Sequence, residues 1–519
     1  QVIEDYHESS LMKGLKNSGE IAMNIKLKED KKKFVFGDIE AGVGVKDRYL
    51  LHPAIFKYSK KVNYNFIGDF NSTEEKSFTL RDYMSFEGAK EVKDFASIFD
   101  SPIFSLLNKN DYKENKHLFA AANIQWSPNL KNDWSFFTIV IKDKVKAKNE
   151  NSRNYFIEKT LEEQEENRNQ EQKIILSKLE LKSKPKEDVR LKFDIKSEIV
   201  SGSTDNMNQS NFNASDIRFN TLKDVNHIKL KSNFKLEKKF SRDHTSQFKL
   251  TLKSEVNQNK VNWISKQNIF SSSLQVVNSI SYNISQESES LLNSFNSNFT
   301  HFWIVNPRNH IYFKVNNKVS FFRDNNYVHQ FLPNNSFKEF ENFNNNFTNN
   351  RIVSFLGFEY KKIIGDAFLT LELLYQNYNR INKQLGNKYS RTFNAILPSI
   401  NIQWDMSLKN KLIFIYEQNN TLPRDNNLVL NKKLLSYNTI YTGNVDLRES
   451  YYHHFGVYFR KFQTYGWSYY PSVSYRIKEN TIQNTFLTNT IYNNLSSVNI
   501  LDPRKELSGK LKIVYNYKY

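Results

Sequence analysis

The chain has 519 residues and a mass of 61.4 kDa, with 39% apolar residues and a formal net charge of +19. Aromatic residues reach 14%, led by 41 Phe and 28 Tyr, and this excludes the aromatic-poor composition of a disordered chain. Cysteine is absent, so disulfides, thiolate metal sites and cysteine nucleophiles are excluded as well.

Apolar and polar residues alternate along most of the chain. The pattern starts in "EIAMNIKLK" from residue 20, returns in "VRLKFDIK" from residue 189, and closes the chain in "LSGKLKIVYNYKY". Between residues 228 and 256 two alternating runs flank the polar turn "SRDHTS", with Phe234 and Leu236 on one face of the first run and Lys235 on the other. A period of two predicts half-exposed strands, and the two runs predict a hairpin.

The predicted strands are joined by unequal connections. Short polar turns are predicted at 58–61, 128–133, 184–188, 241–246, 271–273, 306–310, 362–366, 406–410 and 460–466. Longer polar segments lie at 71–115, 146–171 and 334–350, and the stretch "LEEQEENRNQEQK" at 161–173 is predicted to be a helical or disordered outer loop. The short turns imply about 20–22 strands, too many for an ordinary open sheet.

Five of the six tryptophans lie next to short turns. Trp126 and Trp404 each end the same four-residue stretch, "NIQW", just before a turn; the others are Trp134, Trp303 and Trp467. Rings collected at one end of the hairpins are typical of an aromatic girdle at a membrane–water boundary. The competing interpretation is a soluble β-sandwich with tryptophans in its core.

The girdle favours a membrane protein, and lipid cannot satisfy the edges of an open sheet. The sequence therefore predicts an all-β protein: a large antiparallel transmembrane β-barrel in a bacterial outer membrane, with short periplasmic turns and long extracellular loops. Its polar faces would line a wet lumen. The barrel is predicted to occupy residues 33–519.

Two stretches resemble TonB-dependent outer-membrane receptors. "NSGEIAMNIKLKEDKKKFVFGDIEAGVGV" is similar to the junction between plug and barrel in that family, and "GNVDLRE" is similar to a signature late in the barrel. Gly443, Asn444, Leu447 and Glu449 take the matching positions, while Arg448 departs from the usual pattern. The Asn-, Lys- and Tyr-rich style is similar to Bacteroidota members. The resemblance implies that residues 1–32 are the C-terminal remnant of a plug domain and its linker.

The same resemblance implies a function. A receptor of this kind captures a ligand with its outer loops and takes it up when a TonB-type energy-coupling protein remodels the plug. Expected partners are outer-membrane lipid, lipopolysaccharide, and a surface lipoprotein or other outer-membrane subunits. Two alternatives stay open: a structural or assembly subunit without transport activity, and a soluble or surface β-rich adhesin.

The sequence predicts neither an enzyme nor a cofactor. It contains no H-E-x-x-H, P-loop or G-x-S-x-G pattern. Lysines alternate with apolar residues over many strands instead of forming one basic tract, so nucleic-acid binding is not predicted. No substrate-binding residue can be named from the sequence, because such contacts would lie in the loops and the plug.

Overall fold

The structure is a computed structural model that describes residues 2–4, 9–15, 21–23, 33–73, 113–155, 160–212, 215–270, 274–488 and 493–517. Nearly all of the regular structure is β-strand, as the alternating sequence predicts. In these ranges no helix is long and apolar enough to cross a membrane.

Nineteen strands form one closed sheet, in which β25 lies beside β3 and completes the ring. Neighbouring strands pair antiparallel from β3 round to β25, and the three-residue β14 shares the edge of β13 with β15. The strands are β3 (Phe34–Gly44), β4 (Arg48–Tyr58), β5 (Val62–Asn71), β6 (Glu114–Asn129), β7 (Asn132–Tyr155), β8 (Thr160–Lys186), β9 (Val189–Phe212), β10 (Ser215–Lys239), β11 (His244–Ser265), β12 (Tyr282–Asn306), β13 (Asn309–Phe331), β14 (Phe337–Glu339), β15 (Asn345–Ile364), β16 (Ala367–Gln384), β17 (Asn387–Trp404), β18 (Asn410–Thr421), β21 (Ser450–Lys461), β22 (Gly466–Glu479) and β25 (Arg504–Asn516). The predicted closed barrel is confirmed.

The remaining elements are not strands of this ring. A two-stranded sheet joins β1 (Val2–Glu4) to β2 (Ile21–Met23). A four-stranded sheet has the order β19-β20-β24-β23, with the strands β19 (Lys433–Ser436), β20 (Thr439–Thr442), β23 (Thr481–Thr488) and β24 (Asn493–Ile500). Short 3-10 helices span Ser10–Met12, Glu341–Phe343 and Asp425–Leu428.

The hairpin predicted around residue 241 forms as β10 and β11. Phe234 lies opposite Leu250, and Leu236 lies opposite Phe248. On the same face Ile228 is 53% exposed, which marks that face as the outside of the barrel. Lys235 and its neighbours at alternate positions therefore face the lumen, since successive side chains of a strand point to opposite faces.

Eight of the nine predicted short turns join barrel strands at one end of the barrel, which we call the turn end; the opposite end is the loop end. The ninth, at 271–273, lies outside the described residues, and the strands on either side are β11 and β12, which meet at the loop end. Counting this segment as a turn-end hairpin inflated the tally, and the sheet has 19 strands against the predicted count of about 20–22.

The prediction that 161–173 is an outer loop is wrong, because these residues belong to β8 and pair with β7 and β9 along both edges. Opposite charges on neighbouring strands stabilise this polar hairpin. Lys148 lies 3.0 Å from Glu165, and Ser210 donates a 2.8 Å hydrogen bond to Glu162. Long loops at the loop end were also overpredicted, since β16 and β17 are joined there by residues 385–386 alone. Some of the segments predicted to be long loops are instead extensions of the strands.

Candidate functional site: the occluded lumen

The outer face of the barrel is apolar and exposed. Large apolar side chains along the outward positions remain open to the surroundings, including Leu356 at 61%, Ile396 at 60% and Leu511 at 64%. The exposed aliphatic and aromatic residues of β10 to β17 on this face include Ile228, Leu230, Leu252, Phe295, Phe299, Phe313, Val315, Phe321, Ile352, Leu356, Phe358, Leu373, Tyr375, Ile396, Ile400 and Ile402. Soluble proteins rarely expose a continuous apolar surface of this extent.

The five tryptophans predicted to form a girdle all lie near the turn end. Trp126 and Trp134 face each other across β6 and β7, and Trp467 lies opposite Tyr515. Trp303 and Trp404 end the same outward-facing rows as the apolar residues above, 36% and 45% exposed. The sixth, Trp263, is 4% exposed and lies near the loop end in an internal cluster.

At the loop end, residues 422–449 fold into the lumen between β18 and β21; we call this segment the inward loop. Two buried glutamines hold its backbone. Gln384 of β16 donates to the carbonyl of Leu428 at 2.9 Å and accepts from the amide of Leu430 at 2.9 Å. Gln286 of β12 makes the same pair of bonds with both backbone groups of Leu434, at 2.9 and 3.0 Å. Each glutamine side chain donates to a backbone carbonyl and accepts from a backbone amide, as a neighbouring strand would, so these buried backbone groups have hydrogen-bond partners.

Ion pairs tie the inward loop to the same wall. Arg351 of β15 lies 2.8 Å from Asp425, which also accepts a 2.6 Å hydrogen bond from Asn349. Lys433 pairs with Asp324 of β13. These groups are mostly buried, so removing one partner would leave a charge that is poorly solvated.

The inward loop also makes apolar contacts with wall strands beyond those that carry its polar contacts. Leu434 and Ile440 pack in a buried cluster that includes Phe219 of β10 and Trp263 of β11. The parallel pairing of β20 with β24 extends the loop into the four-stranded sheet and links it to the connection between β22 and β25. The loop therefore reaches from β18 to β10 across the inside of the mouth.

All four residues of the predicted signature contribute to the inward loop. Gly443 donates to the carbonyl of Val429 at 2.7 Å, and a Cβ on Gly443 would lie 2.5 Å from that same oxygen. Asn444 donates its backbone amide to Asn427 at 2.7 Å. Leu447 is 0% exposed and packs against Leu428 and Phe347, while Glu449 lies 2.8 Å from Arg391 of β17; both contacts fix the return of the loop to β21.

The N-terminal segment occupies the lumen near the turn end. Met12 and Leu15 pack against Phe302 and Tyr312, and the Tyr312 hydroxyl donates a 2.6 Å hydrogen bond to the carbonyl of Leu15. Lys361 donates to the same carbonyl at 3.1 Å. Residues 9–15 and the inward loop thus lie toward opposite ends of the lumen.

Between them the wall carries a polar cavity of about 410 Å³. Its lining consists of Lys178, Asp194, Lys196, Glu198, Lys229, Lys231, Asn233, Thr251, Lys253, Ser294, Asn296 and Lys318. Within the described part of the chain, no cluster of three or more His, Asp or Glu side chains could hold a metal ion. Alternation along each strand predicts which residues face the lumen, but the cavity depends on the register across six strands, β8 to β13, which no local pattern predicts.

No protein-family model matches the sequence, and no curated protein matches it. Among solved structures, the copper transporter OprC is similar to this chain over 78% of its residues at 9% identity, with a TM-score of 0.48. The RagAB peptide importer in its "closed-closed" state is similar over 91% at 9% identity, with a TM-score of 0.49. The outer membrane transporter YddB from Escherichia coli is similar over 88% at 8% identity, with a TM-score of 0.44. This chain spans 57%, 63% and 57% of those three chains.

Proposed function

We propose that this chain is the barrel of an outer-membrane receptor of the TonB-dependent type, which captures a ligand at the loop end and admits it by energised uptake. The observation that supports the proposal most directly is an apolar outer face around a lumen whose mouth is occluded by the inward loop. A passive pore conducts through an open lumen, whereas an occluded lumen has to be remodelled before a ligand passes.

The tryptophans fit the same proposal. Outward rings such as Trp404, at the turn end, would lie at the headgroup level of the periplasmic leaflet, and the apolar rows above them would face the acyl chains. Residues 1–32 would be the end of the plug, consistent with the docking of Met12 and Leu15 inside the barrel. Energy coupling through a TonB-type protein and association with lipopolysaccharide and a surface lipoprotein belong to this proposal.

Cysteine labelling tests the proposal cleanly, because the native chain has no cysteine. Lys196→Cys places a thiol in the lumen cavity, and Met207→Cys places one on β9 toward the loop end, where Met207 is 59% exposed. We expect an impermeant maleimide to label Met207→Cys in all cells and Lys196→Cys only in energised cells. If an uncoupler leaves the extent of labelling at position 196 unchanged, energised opening is contradicted.

The other functions give different results. A structural subunit would keep position 196 unlabelled in every condition and would co-purify with its partner proteins in fixed proportion. A soluble adhesin would be recovered without detergent, and its band on a gel would not shift between unheated and boiled samples.

A further inference from the structure

The lumen face of β8 to β11 carries lysines in direct register. Lys178 lies opposite Lys196, Lys196 opposite Lys231, and Lys231 opposite Lys253, so four lysines form one row across four strands. A second row follows four residues closer to the turn end, and consists of Lys182, Lys192, Lys235 and Lys249. Like charges placed directly opposite each other on neighbouring strands are destabilising.

The same strands show that this arrangement is specific to those rows. Two residues closer to the loop end, Lys229 lies between Glu198 and Glu255, so opposite charges alternate across that row. Between the two lysine rows, Glu180 lies 3.2 Å from Lys178 and 3.5 Å from Lys192. Carboxylates also reach the lysines of the first row, since Glu180 pairs with Lys178 and Glu255 pairs with Lys253, but the four lysines still lie side by side in the row that borders the cavity.

The cavity collects this charge at one place. Its lining contains the whole first row together with Lys229 and Lys318, six lysines in all, against the carboxylates of Asp194 and Glu198. A volume of about 410 Å³ lies within the range of small-molecule sites, roughly 300–1,000 Å³, and is too small for a folded domain. Ser294 and Asn296 of β12 add a hydroxyl and an amide group to the lining.

We propose that this lysine-lined cavity binds a small multivalent anion, a phosphorylated or polycarboxylate compound, inside the lumen. Several ammonium groups converge on one volume and can each donate a charge-assisted hydrogen bond to an anionic oxygen. A bound multivalent anion adds negative charge to a lining that has six lysines and two carboxylates. The inference depends on the wall of the barrel alone and does not require uptake.

The test measures binding of pyrophosphate to the detergent-purified full chain by calorimetry, with citrate as the polycarboxylate probe. We expect one site whose affinity falls as salt rises. The double variant Lys196→Gln/Lys231→Gln should weaken binding by about 100-fold, roughly tenfold for each charge-assisted hydrogen bond lost. The matched control, Lys131→Gln/Lys184→Gln, removes two lysines near the β6–β7 and β8–β9 turns, outside the cavity lining, and should bind like the native chain.

Thermal unfolding provides an independent readout. Pyrophosphate should raise the melting temperature of the native chain and of the Lys131→Gln/Lys184→Gln control more than that of Lys196→Gln/Lys231→Gln, because a ligand stabilises a protein in proportion to how tightly it binds the folded state. If the double variant does not show the gel shift of a folded barrel, the single variant Lys253→Gln replaces it in both measurements.

Three results would overturn the inference: no heat of binding, equal binding by the two double variants, or binding of an acidic peptide without pyrophosphate, which would indicate a protein occupant. A chain that binds pyrophosphate but shows no energised labelling at position 196 would keep this site and refute the proposed uptake.

Discussion

Replacing Gln384 by Ala should release the inward loop. Gln384 is 2% exposed and makes both of its 2.9 Å bonds with the backbone of the loop, to Leu428 and Leu430. The substitution leaves a buried carbonyl and a buried amide without partners, at about 1–3 kcal/mol each. We expect the free energy of opening the loop to fall by about 3 kcal/mol, which corresponds to about a 100-fold larger open population.

Hydrogen exchange of the detergent-solubilised protein measures this opening directly, because amides in a loop that opens locally exchange at a rate set by the open population. Peptides covering 422–449 should exchange about 100-fold faster in Gln384→Ala, while peptides from β9 and β10 stay unchanged.

Gln330→Ala provides the matched control. Gln330 is 0% exposed and makes the same pair of bonds, both 2.8 Å, with the backbone of Val277 in the connection between β11 and β12. It should accelerate exchange near Val277 and affect 422–449 much less than Gln384→Ala does, because the two segments share only the apolar cluster of Leu274 and Leu434 and not the hydrogen bonds of Gln330. Equal effects of the two variants on 422–449, or no effect of Gln384→Ala there, would refute the view that the glutamines hold separate loops.

Three further outcomes test the loop and the outer face. Gly443→Ala brings a methyl group within 2.5 Å of the Val429 carbonyl and should lower the melting temperature of the protein, whereas Gly509→Ala, where nothing lies within 4 Å, should leave it unchanged; equal melting of both would contradict the close approach. Leu356→Arg should destabilise the barrel in lipid vesicles by about 2–4 kcal/mol in urea unfolding followed by gel shift, against no change for Leu408→Arg in the exposed turn between β17 and β18; a neutral Leu356→Arg would place that face in water. The variant Trp263→Phe lacks the internal tryptophan, so its fluorescence reports on the five predicted girdle residues. Lipids brominated near the headgroups should quench this fluorescence more than lipids brominated at the ends of the acyl chains. The reverse order would contradict the girdle.

The sequence was sufficient for the wall of the barrel. Strict alternation around Phe234 and Phe248 predicted both the strands and the face that Lys235 occupies. A shift of the register by one residue would turn the lysines to the apolar outer face, so only one register fits the pattern. Eight of the nine predicted short turns marked the turn end correctly, since they lie between strongly alternating runs.

The sequence failed where tertiary contacts override local composition. Residues 161–173 have the composition of a solvated loop, but edge pairing to β7 and β9 turns them into strand. The inward loop was not predicted because its supports, such as Gln286 with Leu434, join positions 148 residues apart in the chain. Only the residues from Gly443 to Glu449 carried a signal there, and it came from family resemblance.

The wall of the barrel is uneven in height, so the loop end is easier to approach from the side with the shorter strands. β8 has 27 residues and β18 has 12, a difference that corresponds to roughly 50 Å along the strand at about 3.3 Å per residue. The inward loop starts on the low side, at β18, and leans toward the tall side, at β12. A large molecule that approaches the loop end therefore meets long strands on one side and short strands on the other, and binding at the short strands would bring it next to the base of the inward loop.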